Sequence, residues 1–388
     1  MQGTPPTPLR IGITCYPSVG GSGILATSLG EELALRGHEV HFISYERPFR
    51  LKLPTDRISF HPVEINDYGL FKYPDYTLPL SVKMAEVAAQ HKLDILHVHY
   101  AVPHATAAIL ARAMLPESLR PRVVTTLHGT DTTLLGKDPG YAPAIRHALA
   151  SSDALTAVST FLANETRRLL GSGRSIEVIP NFIVPRPPAR TREQVRAELG
   201  VAPDQTLLIH SSNPRPGKRI DLLLESVALL PDRDSYRLLI LAGESFEPYR
   251  PLAQRLGLEN QILVRERVAA VEEFMQAADL SLITSESESF CLSILEAMWF
   301  ARPSISTSVG GIPEVIHNGQ TGALVAFGDT AAFARAIETL KNDPARRNAL
   351  GDSARNSAHT QFSAQAIVPR YEALYQRIRA ERIPQAIK

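Results

Sequence analysis

The sequence predicts an α/β protein made of two doubly wound units, each a parallel sheet flanked by helices. Three observations lead there. Short apolar runs rich in β-branched residues alternate with segments of helical period along most of the chain. The alternation breaks once, at four prolines within the nine residues Pro180 to Pro188, and then restarts. The length of 388 residues exceeds one ordinary domain, so two are expected.

Taken in order, Leu9–Tyr16 reads as a strand and Gly20-Gly21-Ser22-Gly23 as the turn after it. Leu25, Leu29 and Leu33 mark one face of a helix ending at Gly37, and Val40–Tyr45 is the next strand. Such a βαβ unit implies parallel pairing with a right-handed crossover. Ile95–Tyr100, Val123–His128, Leu155–Ser159 and Ile176–Ile179 are further strands. The proline-rich stretch can be neither a helix interior nor a central strand and reads as a linker. Beyond it, Leu207–Ser211, Arg237–Ala242, Ile262–Val264, Leu280–Thr284 and Ser304–Ser306 are strands. Asp221–Leu230, Tyr249–Leu256, Val271–Ala278, Ser293–Phe300, Thr330–Leu340 and Ala364–Arg382 are helices. The expected domains are 1–183 and 184–363, with the closing helix, about 364–388, returning to the first. Sites in such folds lie at the carboxyl ends of the strands, here in a cleft between the two units.

Composition narrows the function classes. A net charge of +1 carries no signature for nucleic acid or an anionic surface. No apolar stretch approaches the ~20 residues that span a bilayer, and Met1 to Pro8 has no signal-peptide core. Two distant cysteines, Cys15 and Cys291, fit a reducing cytoplasm without a disulfide framework. A homo-oligomer is compatible with the sequence.

Four loops carry chemistry. Gly20 to Gly23 opens a helix, where free N–H groups and the helix dipole suit a phosphate; a ligand-free tight turn reads equally well. Ser212-Asn213-Pro214-Arg215-Pro216-Gly217-Lys218-Arg219 places three cations ahead of a helix N-terminus. The dipole disfavours them there, so either an anion lies among them or the turn is simply solvated. Glu288 lies in a loop and Glu296 one turn inside the helix that follows. Carboxylates accept from vicinal sugar hydroxyls, yet the same residues also serve as helix-capping glutamates. His128, in His128-Gly129-Thr130-Asp131 at a strand end, could donate to a sugar or stabilise developing charge; the alternative is a structural hydrogen bond. His97 and His99 share one strand face but lack further ligands at metal-site spacing.

Together these loops resemble the retaining glycosyltransferases of family 4, which have the GT-B fold of two Rossmann-like domains. Glu288, seven residues, Glu296 is the signature, with Phe290 and Leu295-Glu296-Ala297-Met298 around it. Gly310-Gly311-Ile312-Pro313-Glu314 and Asn318-Gly319-Gln320-Thr321-Gly322 follow as they do in that family. In the first half, Gly20-Gly21-Ser22-Gly23, Leu96-His97-Val98-His99-Tyr100 and Thr126-Leu127-His128-Gly129-Thr130-Asp131 resemble the branch that begins bacillithiol synthesis. Ser212-Asn213-x-Arg215-x-x-Lys218-Arg219 matches that branch too.

The resemblance implies transfer of N-acetylglucosamine from its UDP carrier to L-malate with retention. The UDP-sugar is then a substrate, and neither cofactor nor metal is expected. It implies that Arg215 and Lys218 hold the diphosphate with Gly21 and Ser22, and that Glu296 holds the ribose. Glu288 and the backbone from Phe290 through Cys291 to Leu292 take the sugar, Asn213 flanks the donor, and His128 lies against the transferred sugar. The catalytic set is His128, Arg215, Lys218 and Glu288. A dicarboxylate acceptor needs cationic and hydroxyl donors, for which Tyr100, Thr130 and Arg146 are candidates. Another acceptor (a sugar, an inositol phosphate or a lipid-linked sugar), UDP-sugar epimerisation, or non-catalytic nucleotide-sugar binding are the competing readings. Pro214 replaces the usual Phe, Cys291 the usual Gly, and Trp299-Phe300-Ala301 the usual small residues, which is expected to reshape the donor pocket.

Overall fold

A computed structural model describes residues 7–17, 20–51, 56–65, 75–171 and 173–381. The chain divides into two compact units, Met1–Asn181 with Ala364–Lys388, and Phe182–Ser363.

In the first unit the elements run β1 (Arg10–Thr14), α1 (Gly21–Leu35), β2 (Glu39–Ser44), β3 (Ile58–Pro62), α2 (Thr77–His91), β4 (Ile95–His99), α3 (Thr106–Ala113), β5 (Arg122–Leu127), α4 (Ala142–Ser151), β6 (Ala154–Ala157), α5 (Thr160–Leu170) and β7 (Ile176–Val178). The second contains α6 (Arg192–Glu198), β8 (Thr206–Ser212), α7 (Ile220–Ala228), β9 (Tyr236–Ala242), α8 (Arg250–Arg255), β10 (Ile262–Glu266), α9 (Val271–Ala277), β11 (Leu280–Ile283), α10 (Leu292–Trp299), β12 (Ser304–Thr307), β13 (Gly322–Val325), α11 (Thr330–Asn342) and α12 (Pro344–Gln361). The chain ends in α13 (Ala364–Ala380), which belongs to the first unit.

Both sheets are parallel, in the orders β3-β2-β1-β4-β5-β6-β7 and β10-β9-β8-β11-β12-β13. Each order reverses once, between β1 and β4 and between β8 and β11, and the crevice beyond such a reversal is where these folds bind ligands. Strands covered on both faces read as continuous apolar runs, as in Leu238-Leu239-Ile240-Leu241. In the second unit α7, α8 and α11 pack on one face, around Leu223, Phe246 and Ile337. A separate cluster with α6, α9 and α10, around Val195, Met275 and Ala297, covers the other. In the first, α2 and α3 cover one face through Leu80, Met84 and Ala108.

Helix α13 is tied to the first unit by buried polar contacts. Glu372 accepts from His38 Nε2 at 3.0 Å and Arg36 at 3.2 Å. The His38 proton sits on Nε2, because Nδ1 accepts from the Leu9 N–H at 3.0 Å. The Tyr375 hydroxyl meets His97 Nδ1 at 2.7 Å, and His97 Nε2 meets Thr126 at 2.7 Å.

Several elements were not anticipated. Strand β3 (Ile-Ser-Phe-His-Pro) is an edge strand carrying His and Pro, and β13 is four residues starting at Gly322. Helix α12 shows no single apolar stripe and buries mainly small residues, including Gly351, Ala354 and Ala358. Within the proline-rich stretch Ile183 forms a bridge to Ser363. The expected extension of α13 to residue 388 and the reading of Met1 to Pro6 lie outside the described residues. No helix among the described residues is long and apolar enough to cross a membrane.

Candidate active site

In the second unit the loops after β8 and β11, neighbours at the reversal of strand order, bring six of the expected donor residues together. Lys218 Nζ donates to Glu288 Oε1 at 2.5 Å, and Ser285 Oγ donates to the same oxygen at 2.7 Å. Burial works against the Lys218 charge, but the neighbouring Glu288 carboxylate prevails and the Lys218 pKa is raised. Backbone bonds stitch the two loops: Glu286 N–H donates to Gly217 O at 2.9 Å, and Thr284 Oγ1 to Arg219 O at 3.0 Å.

Each of the three cations has a carboxylate partner within the second unit. Arg219 pairs with Asp221 in the first turn of α7 at 2.8 Å, which satisfies the helix dipole locally. Arg215 pairs with Glu244 at 3.2 Å, but both are largely exposed, so that pair is weak and readily exchanged for another anion. Lys218 is the cation held in place. Asn213 packs against Gly243 at the end of β9, where any Cβ would collide with the Asn213 amide.

Glu296 lies half-buried on α10, as expected. The Phe290 side chain is buried against Phe362 with centroids 5.8 Å apart, so only its backbone faces the loop. Cys291 caps α10 with φ +79°, a backbone that favours glycine and that an L side chain adopts at a cost. Burial pushes the Cys291 thiol up to about 12, so it stays protonated. Trp299 and Phe300 sit at the far end of α10. Trp299 stacks on His359 of α12 at 3.9 Å and Phe300 packs on the core, so the expectation that they reshape the donor pocket is corrected.

The Gly310-Gly311 motif has a structural meaning that sequence reading missed. Gly311 N–H donates to Glu288 O at 2.9 Å, while Gly310, at φ +56°, lies so close that a Cβ would strike that carbonyl. The pair buttresses the Glu288 loop from behind. Gly310→Ala is expected to lower the melting temperature by several degrees and turnover by at least about tenfold, since small misplacements at a reacting centre are costly. Thermal melts and kcat measured together check this; wild-type turnover would remove the buttress.

In the first unit the loops after β1, β4 and β5 carry the remaining candidates. Gly21 opens α1 with no side-chain cap, so its first-turn N–H groups face outward. Tyr100 OH donates to Ser22 Oγ at 3.0 Å, which joins an acceptor candidate to a donor candidate. The Tyr100 ring packs on His128 at 5.0 Å. Thr130 is exposed beside them, and exposed Arg146 on α4 forms no ion pair among the described residues. Asp131 is buried, accepting from Ala101 N–H at 3.1 Å and Gly129 N–H at 3.0 Å, and so fixes the His128 turn to the end of β4.

His128 Nε2 lies 2.8 Å from His99 Nδ1. Burial, then His104, pushes the His128 pKa down to about 3, so the ring is neutral; it can donate a hydrogen bond but cannot counter charge as a cation. Nε2 of buried His99 has no partner among the described residues. A proton there would orphan a buried N–H, costing about 1–3 kcal/mol. The proton therefore resides on His99 Nδ1 and is donated to His128 Nε2, leaving His128 with its own proton on Nδ1. His97 and His99 stack at 4.6 Å within the core.

Two family models match: "Glycosyltransferase Family 4" over residues 19–186 and "Glycosyl transferases group 1" over 191–357. The chain is 46% identical over 370 residues to the N-acetyl-alpha-D-glucosaminyl L-malate synthase of Bacillus anthracis, covering 95% of this chain and 96% of that one. A Rickettsia africae glycosyltransferase superposes with a TM-score of 0.79 at 19% identity, over 97% of this chain and 100% of its own. Anabaena HepE, solved with UDP-glucose, superposes with a TM-score of 0.76 at 20% identity, over 95% and 100%. With both halves matched and the near-full length shared, the chain belongs to the family 4 glycosyltransferases of GT-B fold, in the same family as the Bacillus anthracis malate synthase.

Proposed function

We propose that the chain transfers N-acetylglucosamine from UDP-N-acetylglucosamine to L-malate with retention, the first step of bacillithiol synthesis, in the cytoplasm. The observation that carries this reading is the 46% identity, over 95% of the chain, to a relative of that name. The second unit takes the donor: Arg215 and Lys218 the diphosphate, Glu296 the ribose, Glu288 and the backbone from Phe290 to Leu292 the sugar. Gly21 and Ser22 supply N–H groups to the diphosphate, and Asn213 flanks it. Tyr100, Thr130 and Arg146 receive the dicarboxylate.

In the reaction the malate hydroxyl oxygen forms a bond to the anomeric carbon while the bond from that carbon to the UDP oxygen breaks. The malate proton passes to the departing phosphate, on the same face of the sugar. Lys218 and Arg215 stabilise the charge that grows on that oxygen, and His128 donates from Nδ1 to the sugar. Two side-chain cations fill the role a metal would otherwise take.

The test is UDP release from UDP-N-acetylglucosamine with L-malate, with an inositol phosphate, with a simple sugar and with no acceptor. Release with malate alone at a substantial rate, unchanged by EDTA, is expected. Preference for another acceptor would remove malate but keep the transferase; release without any acceptor would favour epimerisation or hydrolysis. Strict dependence on an added divalent ion would overturn the phosphate account.

A further inference from the structure

His41, His61 and His91 stand apart from the loops described above. His41 is the third residue of β2 and pairs with Ser59, while His61 on β3 pairs with Ile43. Paired residues of parallel strands share a face, and so do residues two apart, so both imidazoles project from the same side of the sheet. Helix α2 covers that side and ends at His91. The three rings converge, with centroids 4.2 Å apart for His41 and His91 and 5.2 Å for each other pair. One ring nitrogen from each lies within 4.8 Å of the others.

The His41 tautomer suits a ligand. Its Nε2 lies 3.0 Å from Glu39 Oε1, a carboxylate acceptor, so the His41 proton sits there. His41 Nδ1 therefore presents its lone pair and accepts from His61 Nε2 at 3.0 Å, so His61 becomes a ligand through Nε2 by carrying its proton on Nδ1 instead. A carboxylate behind an imidazole is the usual outer support of a metal-bound histidine. Burial and the neighbouring imidazoles push His61 down to about 4, and Lys83 acts in the same direction, so its ring is neutral. Lys83 itself is paired with Glu86 at 2.6 Å. His61 and His91 are half-buried, which gives an ion a path in and leaves a position for water.

We propose that His41, His61 and His91 form a binding site for a divalent transition metal of the zinc class, which pins the end of α2 to the edge strand β3. Tetrahedral zinc with metal–nitrogen bonds of about 2.0–2.1 Å sets ligand nitrogens about 3.3 Å apart. One pair already approaches that distance, and the third closes by a turn of the half-buried rings. An all-nitrogen set selects zinc, cobalt, nickel or copper over magnesium or calcium. The site lies in mid-strand and at a helix end, so its role is to clamp, with sugar transfer proceeding without it.

The test uses the untagged full chain stripped with EDTA, to which Zn2+ or Co2+ is added. One equivalent should bind, with the ligand-field spectrum of tetrahedral cobalt. The melting temperature should rise by about 5 °C or more at a hundredfold excess over Kd. His61→Ala and His91→Ala should each abolish both effects, and Glu39→Gln should weaken binding about 10–100-fold. Substituting exposed His147 should change neither effect. UDP release in the same samples should be unaffected by the ion, which separates this site from the transferase reading. Absence of stoichiometric binding by the wild-type chain, or binding that persists in both histidine variants, would overturn the proposal.

Discussion

Lys218→Ala is expected to lower kcat by about 10²–10³-fold, the usual effect of removing one preorganised donor to developing charge. Lys218 is fixed by the Glu288 carboxylate and carried on a loop bound through Gly217 and Thr284, so no other cation moves into its place. Arg215 is largely exposed and held only by its surface pair with Glu244, hence its removal should cost less. Because Lys218 and Glu288 touch, a loss of turnover alone would not separate their roles. UDP affinity does: on the proposed roles, Lys218→Ala should weaken UDP markedly, while Glu288→Gln should leave UDP binding within about twofold. Circular dichroism should show the fold retained in both. Normal UDP affinity and turnover in Lys218→Ala would eliminate the phosphate role.

The second large effect concerns acid. His97, His99 and His104 in the first unit and His210 in the second are fully buried. Burial lowers all four, to about 3 for His97, about 4 for His104 and His210, and well below the ordinary value for His99. Each folded pKa lies below the unfolded value near 6.5. The unfolded chain therefore takes up protons first, so this stability is complete above about pH 6.5 and is lost as the pH falls toward the folded values. Each group contributes up to about 1.4 kcal/mol per pH unit in that window. Several acting together rival a total stability of about 5–15 kcal/mol. His41, His61 and His128 shift in the same direction and also belong to the first unit. Calorimetry at pH 7.5 and 5.0 should show the first unit's transition falling by about 10 °C or more and the second unit's by less. Equal melting at both pH values would mean the buried rings titrate normally.

Where physics is local, the sequence already contained the structure. Strand and helix periods located most elements to within a residue or two, since sheets buried on both faces demand apolar runs such as Leu280–Ile283. The loops at the two reversals of strand order were identifiable because glycines, cations and carboxylates follow strands there. The partners within those loops were not, because Lys218 meets Glu288 across seventy residues and neither neighbourhood encodes the other. Gly310 looked like a family mark and proved to be a steric necessity imposed by the Glu288 carbonyl. Phe290 is read from the sequence only through its backbone, and the core role of its ring against Phe362 depends on a partner more than seventy residues away. The histidine trio was invisible for the same reason, its members lying on two strands and a helix joined only by tertiary packing. Helix α12 escaped notice because a helix that buries alanines and glycine has no stripe to see.

Helix α13 has one more consequence. The chain leaves the first unit at Asn181 and re-enters it at Ala364, so the second unit is an insertion within the first. During synthesis, the residues that satisfy His38 and His97 therefore emerge only after the whole of the second unit. The second unit can complete its sheet while the first still waits for Glu372 and Tyr375. A chain that stops before Ala364 would thus carry a finished second unit beside an unfinished first one, and quality control would meet the uncovered seat of α13 rather than a globally unfolded polypeptide.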